Sequence, residues 1–328
     1  MKERTRIMVA SVLLLPLSLL FAGGCISAGP DYRQPETDIP SRWSVALTTN
    51  IAETTASTET LSRWWTLLND PFLSDSIEQA RTNNLDVKQA EARLREARAQ
   101  RGMAKADLFP TLEVKGSASK TRNRDAEGVT TTSELYANGF DASWELDLFG
   151  KNRRVLEAAD ATLQASQEDL SDVLVSLFAE VALNYVEVRS YQVRLSLTES
   201  NIAMRAEMYD ITRWSHEAGL TTQLDVDQAR LSLEQARSDV PTLQTAREQA
   251  KHRLAVLLGQ SPGALKDLLA ESKPIPVPPL ETAVGVPADV LRRRPDVRSA
   301  ERKLAAQTAQ IGAAKAARYP SFQLMGSI

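Results

Sequence analysis

Between Gly150 and Gly219 the chain runs for 68 residues, Lys151 to Ala218, without a proline or a glycine. No other feature restricts the fold as much. Those two residue types are the usual interruptions of a helix. Without them one helix can continue, and at 1.5 Å per residue it would reach about 100 Å. Leu174, Val181, Val188, Leu195, Ile202 and Tyr209 stand seven apart, and Leu170, Leu177 and Tyr191 fill the alternate seam. A seven-residue repeat means coiled-coil packing. Gly219-Leu220-Thr221-Thr222 reads as a tip. The helix should resume at about Leu224 and run antiparallel to Leu258, with Gly259 as its stop. Pro241 should kink it. Upstream, one helix is expected from Arg63 to Asn83, with Asp70-Pro71 as a cap signal, and another from Asp86 to Ala106.

At Pro110 the period changes from helical to two. Leu112, Val114, Gly116 and Ala118 alternate with Glu113, Lys115, Ser117 and Ser119. Alternation returns from Leu135 to Leu148. Tyr136, Phe140, Ala142, Trp144, Leu146 and Leu148 fall on one parity, interrupted by Asn138; Ala137, Gly139, Asp141, Ser143, Glu145 and Asp147 fall on the other. Thr121 to Ser133 reads as a polar loop between two strands. Each strand is close to the ~9–11 residues that cross a bilayer within a tilted barrel, and aromatics toward the ends of the apolar face suit an interfacial girdle. A half-buried soluble hairpin alternates in the same way, and alternation alone does not separate the two.

The chain also repeats itself at an offset of 210. Asp86, Val87, Ala90, Glu91, Leu94, Gln100, Gly102, Lys105, Pro110 and Gly116 meet Asp296, Val297, Ala300, Glu301, Leu304, Gln310, Gly312, Lys315, Pro320 and Gly326. From 86 to 117 fourteen of thirty-two positions are identical. Such a repeat sets the architecture. The unit is helix, proline switch, strand hairpin, very long helical hairpin and proline-rich return. The second copy holds a helix and, with Phe322, Leu324, Gly326 and Ile328 on the outward parity, the start of a third strand. The expectation is an incomplete second unit, lacking about 130–170 residues and a second tip near position 435.

The amino terminus reads as a secretory signal over residues 1–24: Lys2, Arg4 and Arg6, then an apolar run from Ile7 to Phe21, then Ala22-Gly23-Gly24. The run is short for a membrane span. Small residues followed by Cys25, the one cysteine, resemble a bacterial lipobox, with Ala22 where Leu is more usual. An ordinary signal with a chance cysteine is the other reading. Ile26 rather than Asp after Cys25 points, by resemblance to bacterial lipoproteins, to the outer membrane. No intrachain disulfide is possible. A net charge of −3 gives no basic face for nucleic acid. His216 and His252 lack metal-ligand spacing, no Ser sits in G-x-S-x-G, and Gly150-Lys151 lacks the earlier glycine of a phosphate loop. No cofactor and no enzyme chemistry are expected.

The chain resembles the TolC-like outer-membrane efflux channels, in particular the lipidated branch that serves RND multidrug pumps. The resemblance runs from Cys25 to the last residue and rests on CISAGPDYRQP, WELDLFGKNRR, GLTTQLDVDQAR and VPADVLRRRPDVRSAERKLAAQTAQIGAAKAARYPSF. It implies a mainly α fold with transmembrane β: a long antiparallel coiled-coil helical hairpin plus strands of a trimeric twelve-stranded barrel, built as a tandem repeat. It implies a homotrimer in outer-membrane lipid that extends into the periplasm, docks on a periplasmic membrane-fusion adaptor and an inner-membrane RND-type pump, and passes drugs or other small toxic compounds outward. Cys25 would carry the lipid. Gly219, Leu220 and Thr221 match the adaptor-contacting turn, and Asp225 matches an aspartate that helps hold the periplasmic aperture shut. On sequence alone Asp225 is equally a first-turn carboxylate favourable to the helix dipole. Glu113, Lys115, Asp141, Ser143, Glu145 and Asp147 would face the lumen, or are simply solvated.

This reading divides the chain into the signal at 1–24, an irregular segment at 25–62, a first repeat at 63–285 and the start of a second at 286–328. Within the first repeat lie a strand hairpin at about 111–148, a helical hairpin at about 151–258 and a proline-rich linker. The rival is a periplasmic lipoprotein adaptor or envelope scaffold with a coiled-coil hairpin. It shares the lipobox and the long helices but needs neither the paired strands nor the repeat.

Overall fold

The computed structural model describes residues 27–36, 51–52, 62–278, 282–283 and 287–328. Cys25 and the signal segment lie outside them. In chain order the elements are β1 (Ile51–Ala52), a 3-10 turn (Trp64–Leu68), α1 (Pro71–Asn83), α2 (Leu85–Ala106), β2 (Thr111–Arg124), β3 (Thr130–Leu146), α3 (Lys151–Glu217), α4 (Gln223–Leu257), β4 (Thr282–Ala283), α5 (Pro287–Arg293), α6 (Pro295–Ala316) and β5 (Phe322–Ser327). The chain divides into two compact units. One takes the described residues of 1–37, 93–168 and 296–328, the other those of 38–92 and 169–295.

The second unit has an apolar core at the base of the helical hairpin. Leu73, Ile77 and Ala80 of α1, Val87 of α2, Leu177, Val181, Tyr185 and Val188 of α3, and Ala250, Leu254 and Ala255 of α4 pack with Leu258, Leu265 and Leu269. Burying a Leu or Val side chain contributes about 1.5–3 kcal/mol, so this cluster anchors the unit. The heptad seam explains which face of α3 turns inward: Val181, Val188 and Leu195 are buried, and Leu174, Ile202 and Tyr209 are half-buried. The pairing is antiparallel. Arg253 of α4 donates to Asn184 and Glu187 near the base, while Arg205 meets Ser232 further along. Pro241 lies inside α4 without ending it.

Three local expectations change. The helix expected from Arg63 is broken: Asn69 takes a left-handed conformation, φ 50°, and Asp70 caps α1 by accepting the Leu73 amide at 3.1 Å. A cap signal is a start signal, so what precedes it forms a separate 3-10 turn. The proline-rich return contributes β4, which pairs in parallel with β1. The loop expected from Thr121 to Ser133 is mostly strand. The ladder continues to Arg124 opposite Thr130 and turns through residues 125–129, where Asp125 Oδ1 accepts the Val129 amide at 2.7 Å. Main-chain hydrogen bonds hold a strand whether or not its side chains alternate, so a polar stretch gave no period to read.

The first unit carries a sheet ordered β2-β3-β5, antiparallel throughout. The repeat is visible in it. α2 and α6 each have 22 residues and begin 210 positions apart. Each leads through a proline, Pro110 or Pro320, into a strand. Helix packing here uses small side chains: Ala158, Ala161 and Ala165 of α3 and Ala305, Ala306, Ala309 and Gly312 of α6 are all buried.

Candidate functional site

The register of the sheet sorts its side chains into two faces. Opposite residues in an antiparallel pair share a face. Leu112↔Ala142, Val114↔Phe140, Gly116↔Asn138 and Ala118↔Tyr136 lie on one, joined from β5 by Leu324 opposite Trp144 and Phe322 opposite Leu146. Ile328 exchanges both main-chain hydrogen bonds with Phe140, each 3.0 Å, so it joins the same face. Most of these side chains are not covered: Val114 is 71% exposed, Leu112 69% and Tyr136 73%, while Trp144 and Leu146 are half-buried. From Tyr136 to Leu146 the strand advances about 34 Å at about 3.4 Å per residue, or about 24 Å of depth if tilted by about 45°. That is close to the ~25 Å apolar band of an outer-membrane barrel. Trp144 sits toward one end of the band, its indole N–H donating to the Leu108 carbonyl at 3.1 Å, and Tyr136 sits at the other.

The opposite face is polar. Lys115 Nζ bridges Asp141 at 2.7 Å and Glu113 at 3.3 Å. Thr111 and Ser143 share a hydroxyl contact of 2.8 Å across the strands. Glu145 accepts from Lys151 Nζ at 3.5 Å. Five of the six residues expected on this wall are therefore on one face of the sheet, with the acidic side chains partly neutralised by Lys115 and Lys151. Asp147 is different. It stands beyond the end of β3 and turns to the start of α3, where its carboxylate accepts the Asn152 amide at 3.2 Å, the Arg153 amide at 2.9 Å and Arg153 Nε at 3.2 Å. A carboxylate at a helix N-terminus is favourable against the dipole.

The hairpin tip is built from two caps back to back. At the end of α3 the Gly219 amide donates to the His216 carbonyl at 2.8 Å and the Leu220 amide to Ser215 at 2.9 Å. This is the paired bonding of a Schellman motif, and it requires the left-handed φ of 73° that Gly219 adopts. At the start of α4, Thr222 and Asp225 form a capping box. Thr222 Oγ1 accepts the Asp225 amide at 3.3 Å, and Asp225 Oδ2 accepts the Thr222 amide at 2.9 Å and its hydroxyl at 2.7 Å. The Thr222 hydroxyl, then its amide, hold the Asp225 carboxyl below the usual carboxylate range. Leu220 projects at 78% exposure, Leu224 is exposed beside it, and Thr221 is half-buried with its carbonyl 2.9 Å from His216 Nδ1. Asp225 thus has a capping role whatever else it does.

Two further sets of residues escaped the sequence reading. In the second unit, buried Arg189 donates to the Tyr185 hydroxyl at 3.1 Å and to Gln192 and the Glu271 carbonyl at 2.8 Å each. Tyr185 donates to Asp70 at 2.5 Å, and Gln192 donates to the Leu269 carbonyl at 2.8 Å. Burial, and then the bond to Asp70, push the Tyr185 phenol up to about 12. In the first unit, residues 27–34 are strapped onto α3 and α6. Arg154 donates to the Ala28 carbonyl at 3.2 Å and to Asp31 at 2.7 Å; Tyr32 donates to Glu301 at 3.1 Å. A Cβ on Gly312 would stand 2.9 Å from the Ala28 carbonyl, so this approach needs glycine. A lone Arg or Tyr at one position gives no sign of partners more than a hundred residues away.

Comparison with known proteins covers the same region. The sequence model of the family described as outer membrane efflux protein matches residues 76–260. Nodulation protein T of Rhizobium leguminosarum bv. trifolii is 35% identical over 319 residues, 95% of this chain and 66% of that protein. The toluene efflux pump outer membrane protein TtgC of Pseudomonas putida is 34% identical over 324 residues, 97% of this chain and 66% of that protein. The solved outer-membrane channel OprN superposes with a TM-score of 0.82 at 37% identity, over 91% of this chain and 66% of that one. The chain spans about two thirds of the length of these relatives, 66% in each case.

Proposed function

The chain belongs to the outer membrane efflux protein family, and on that premise we propose that it serves as the outer-membrane exit duct of a tripartite efflux system. It passes drugs or other small toxic compounds outward without chemistry of its own. The observation that carries this reading is the two-faced sheet: a largely exposed apolar face, interrupted by Asn138 and about as tall as a bilayer's hydrocarbon, backed by a charged face. In water such a face would be a liability. In lipid it is the required surface, with Glu113, Lys115, Asp141, Ser143 and Glu145 lining a wet lumen and Asp147 at the lumen's periplasmic mouth. Among the described residues β2 and β5 each have one neighbour in the sheet. Open edges cannot stand in hydrocarbon, and closing the outer edge of β2 with a strand of another protomer meets that need. This supports a homotrimer.

In this reading Cys25 carries the lipid anchor and the hairpin reaches into the periplasm. Gly219, Leu220 and Thr221 offer a turn with the exposed Leu220 at its tip to a periplasmic membrane-fusion adaptor that connects to an inner-membrane RND-type pump. Asp225, held charged by its cap, supplies the polar link that closes the aperture. The test uses the full-length protein in a strain lacking its own exit channel. Crosslinking in isolated membranes should give trimers that resist salt and carbonate washing, and drug tolerance should rise. Protein released as monomer by those washes, with tolerance unchanged, contradicts the duct and returns the adaptor or scaffold reading.

A further inference from the structure

The outward face of β2 changes character at one rung. Leu112, Val114, Gly116 and Ala118 are followed on the same parity by Lys120, Arg122 and Arg124. The other parity beyond Ser117 stays neutral: Ser119, Thr121 and Asn123. Opposite these, β3 places Glu134, Thr132 and Thr130 on the cationic face and Leu135, Ser133 and Thr131 on the neutral one. All three cations of this extension thus point the way the apolar belt points, and none points to the other face. Their opposing charges are few. Glu134 pairs with Lys120 at 2.6 Å and accepts the Tyr136 hydroxyl at 3.4 Å. Asp125 and Glu127 lie in the turn, where Asp125 is engaged with its own main chain. Arg124 Nε donates to the Gly128 carbonyl at 3.2 Å, and Arg122 is exposed opposite an uncharged Thr132.

From this segregation we propose that Lys120, Arg122 and Arg124 form a ladder that binds the phosphate groups of phosphorylated lipid in the leaflet at the hairpin-turn end. The proposal rests on the membrane-duct reading and adds a ligand class to it. The spacing supports it. Two residues of a strand tilted by about 45° rise about 5 Å through the bilayer. Lys120 therefore stands about 5 Å beyond Ala118, within the headgroup layer of about 5–7 Å, while Arg122 at about 10 Å and Arg124 at about 15 Å stand above it and must bend their long side chains back to meet it. Guanidinium forks suit phosphate oxygens, and long side chains can adjust their height. A cation placed to be merely soluble has no reason to choose one parity; one that meets lipid phosphate must choose the lipid parity.

The experiment places the full-length protein in phosphatidylcholine nanodiscs containing diphosphoryl lipid A and counts retained lipid by native mass spectrometry. One variant exchanges parity at constant composition: Lys120→Thr with Thr121→Lys, and Arg122→Asn with Asn123→Arg. At about fivefold per cation near an anionic surface, it should bind lipid A about 25-fold more weakly, and Arg122→Gln alone should bind about fivefold more weakly. Rising salt should weaken the wild type and narrow the difference. Equal retention by the parity-exchanged variant overturns the proposal, as does displacement of lipid A by inorganic phosphate, which marks a general anion site. A Phe140→Cys label that a brominated-acyl lipid quenches shows the strands inserted. An unquenched label in the wild type defeats the duct reading and this proposal together, whereas a quenched label with parity-blind binding defeats the proposal alone.

Discussion

Val181 and Val114 are the same residue in opposite circumstances. Val181, in the base of the helical hairpin, is fully buried; Val114, on the sheet, is 71% exposed. The base buries Leu, Val and Ala among themselves and hides a polar network within. Over the rungs from residue 112 to residue 118 the sheet turns its Leu, Val and Phe outward and keeps Glu113, Lys115 and Asp141 on the other face. The hairpin base is ordered for water outside, and the sheet, in the proposed function, for hydrocarbon outside. One chain therefore contains two solvents' worth of design, and the prolines at 110 and 320 stand where helix gives way to strand.

The comparison breaks most visibly in the core. Leu254 is fully buried, so Leu254→Ala should cost about 2–5 kcal/mol through lost burial and a residual cavity. Leu112→Ala on the sheet should leave the helical unfolding transition unchanged. Circular dichroism through a urea titration in detergent checks both. Equal effects would erase the distinction.

A charge on each face of the sheet sharpens it. Phe140→Arg, near mid-belt, should cost about 2–4 kcal/mol in a bilayer, and Ser117→Arg on the polar face should be tolerated. Refolding yield into lipid vesicles reports the difference.

Inside the base, Tyr185→Phe removes hydrogen bonds to Asp70 and Arg189 and should cost about 1–3 kcal/mol. The pH dependence has a definite sign. The folded phenol titrates near 12 against an ordinary value of 10.0. Its neutral form is favoured by folding, so its contribution is full below pH 10 and is lost as pH rises toward 12. Wild-type stability should fall across that window, and the Tyr185→Phe variant should fall less.

The smallest effect lies at the tip. Asp225→Ala and Thr222→Ala both break the capping box and should each lower the local stability of the start of α4. Below pH 4 the wild-type cap should weaken as well, since its carboxyl titrates lower when folded and its contribution is lost as pH falls through that value. If Asp225 also closes the aperture, only Asp225→Ala should admit a large antibiotic such as vancomycin to cells carrying the full-length protein. Equal leak from both variants assigns the effect to the cap.

What was legible in the sequence was local or periodic. Gly219, Thr222 and the seven-residue seam announce the hairpin because a cap or a heptad is complete within a few residues. The offset of 210 predicted matching helices because both copies kept their Pro and Gly. The outer parts of β2 and β3 were not legible, since Thr, Asn and Arg alternate nothing that a hydrophobic period can register. Nor was Asp147, which reads as the next alternate residue of a strand but serves the helix that follows. The pairs Tyr185 with Asp70 and Arg154 with Asp31 are 115 and 123 residues apart; only the fold brings them together.

The central claim is that the apolar parity of this sheet meets lipid and the other parity meets water. Single cysteines placed in turn at residues 112–118 and 140–146 of the full-length protein in bilayers test it, each probed with a water-soluble thiol reagent and with a lipid-borne quencher. Positions 112, 114, 140 and 142 should be quenched by lipid and slow to react from water, and positions 113, 115, 141 and 143 should do the reverse. Uniform reactivity along both strands, without a period of two, would contradict the account.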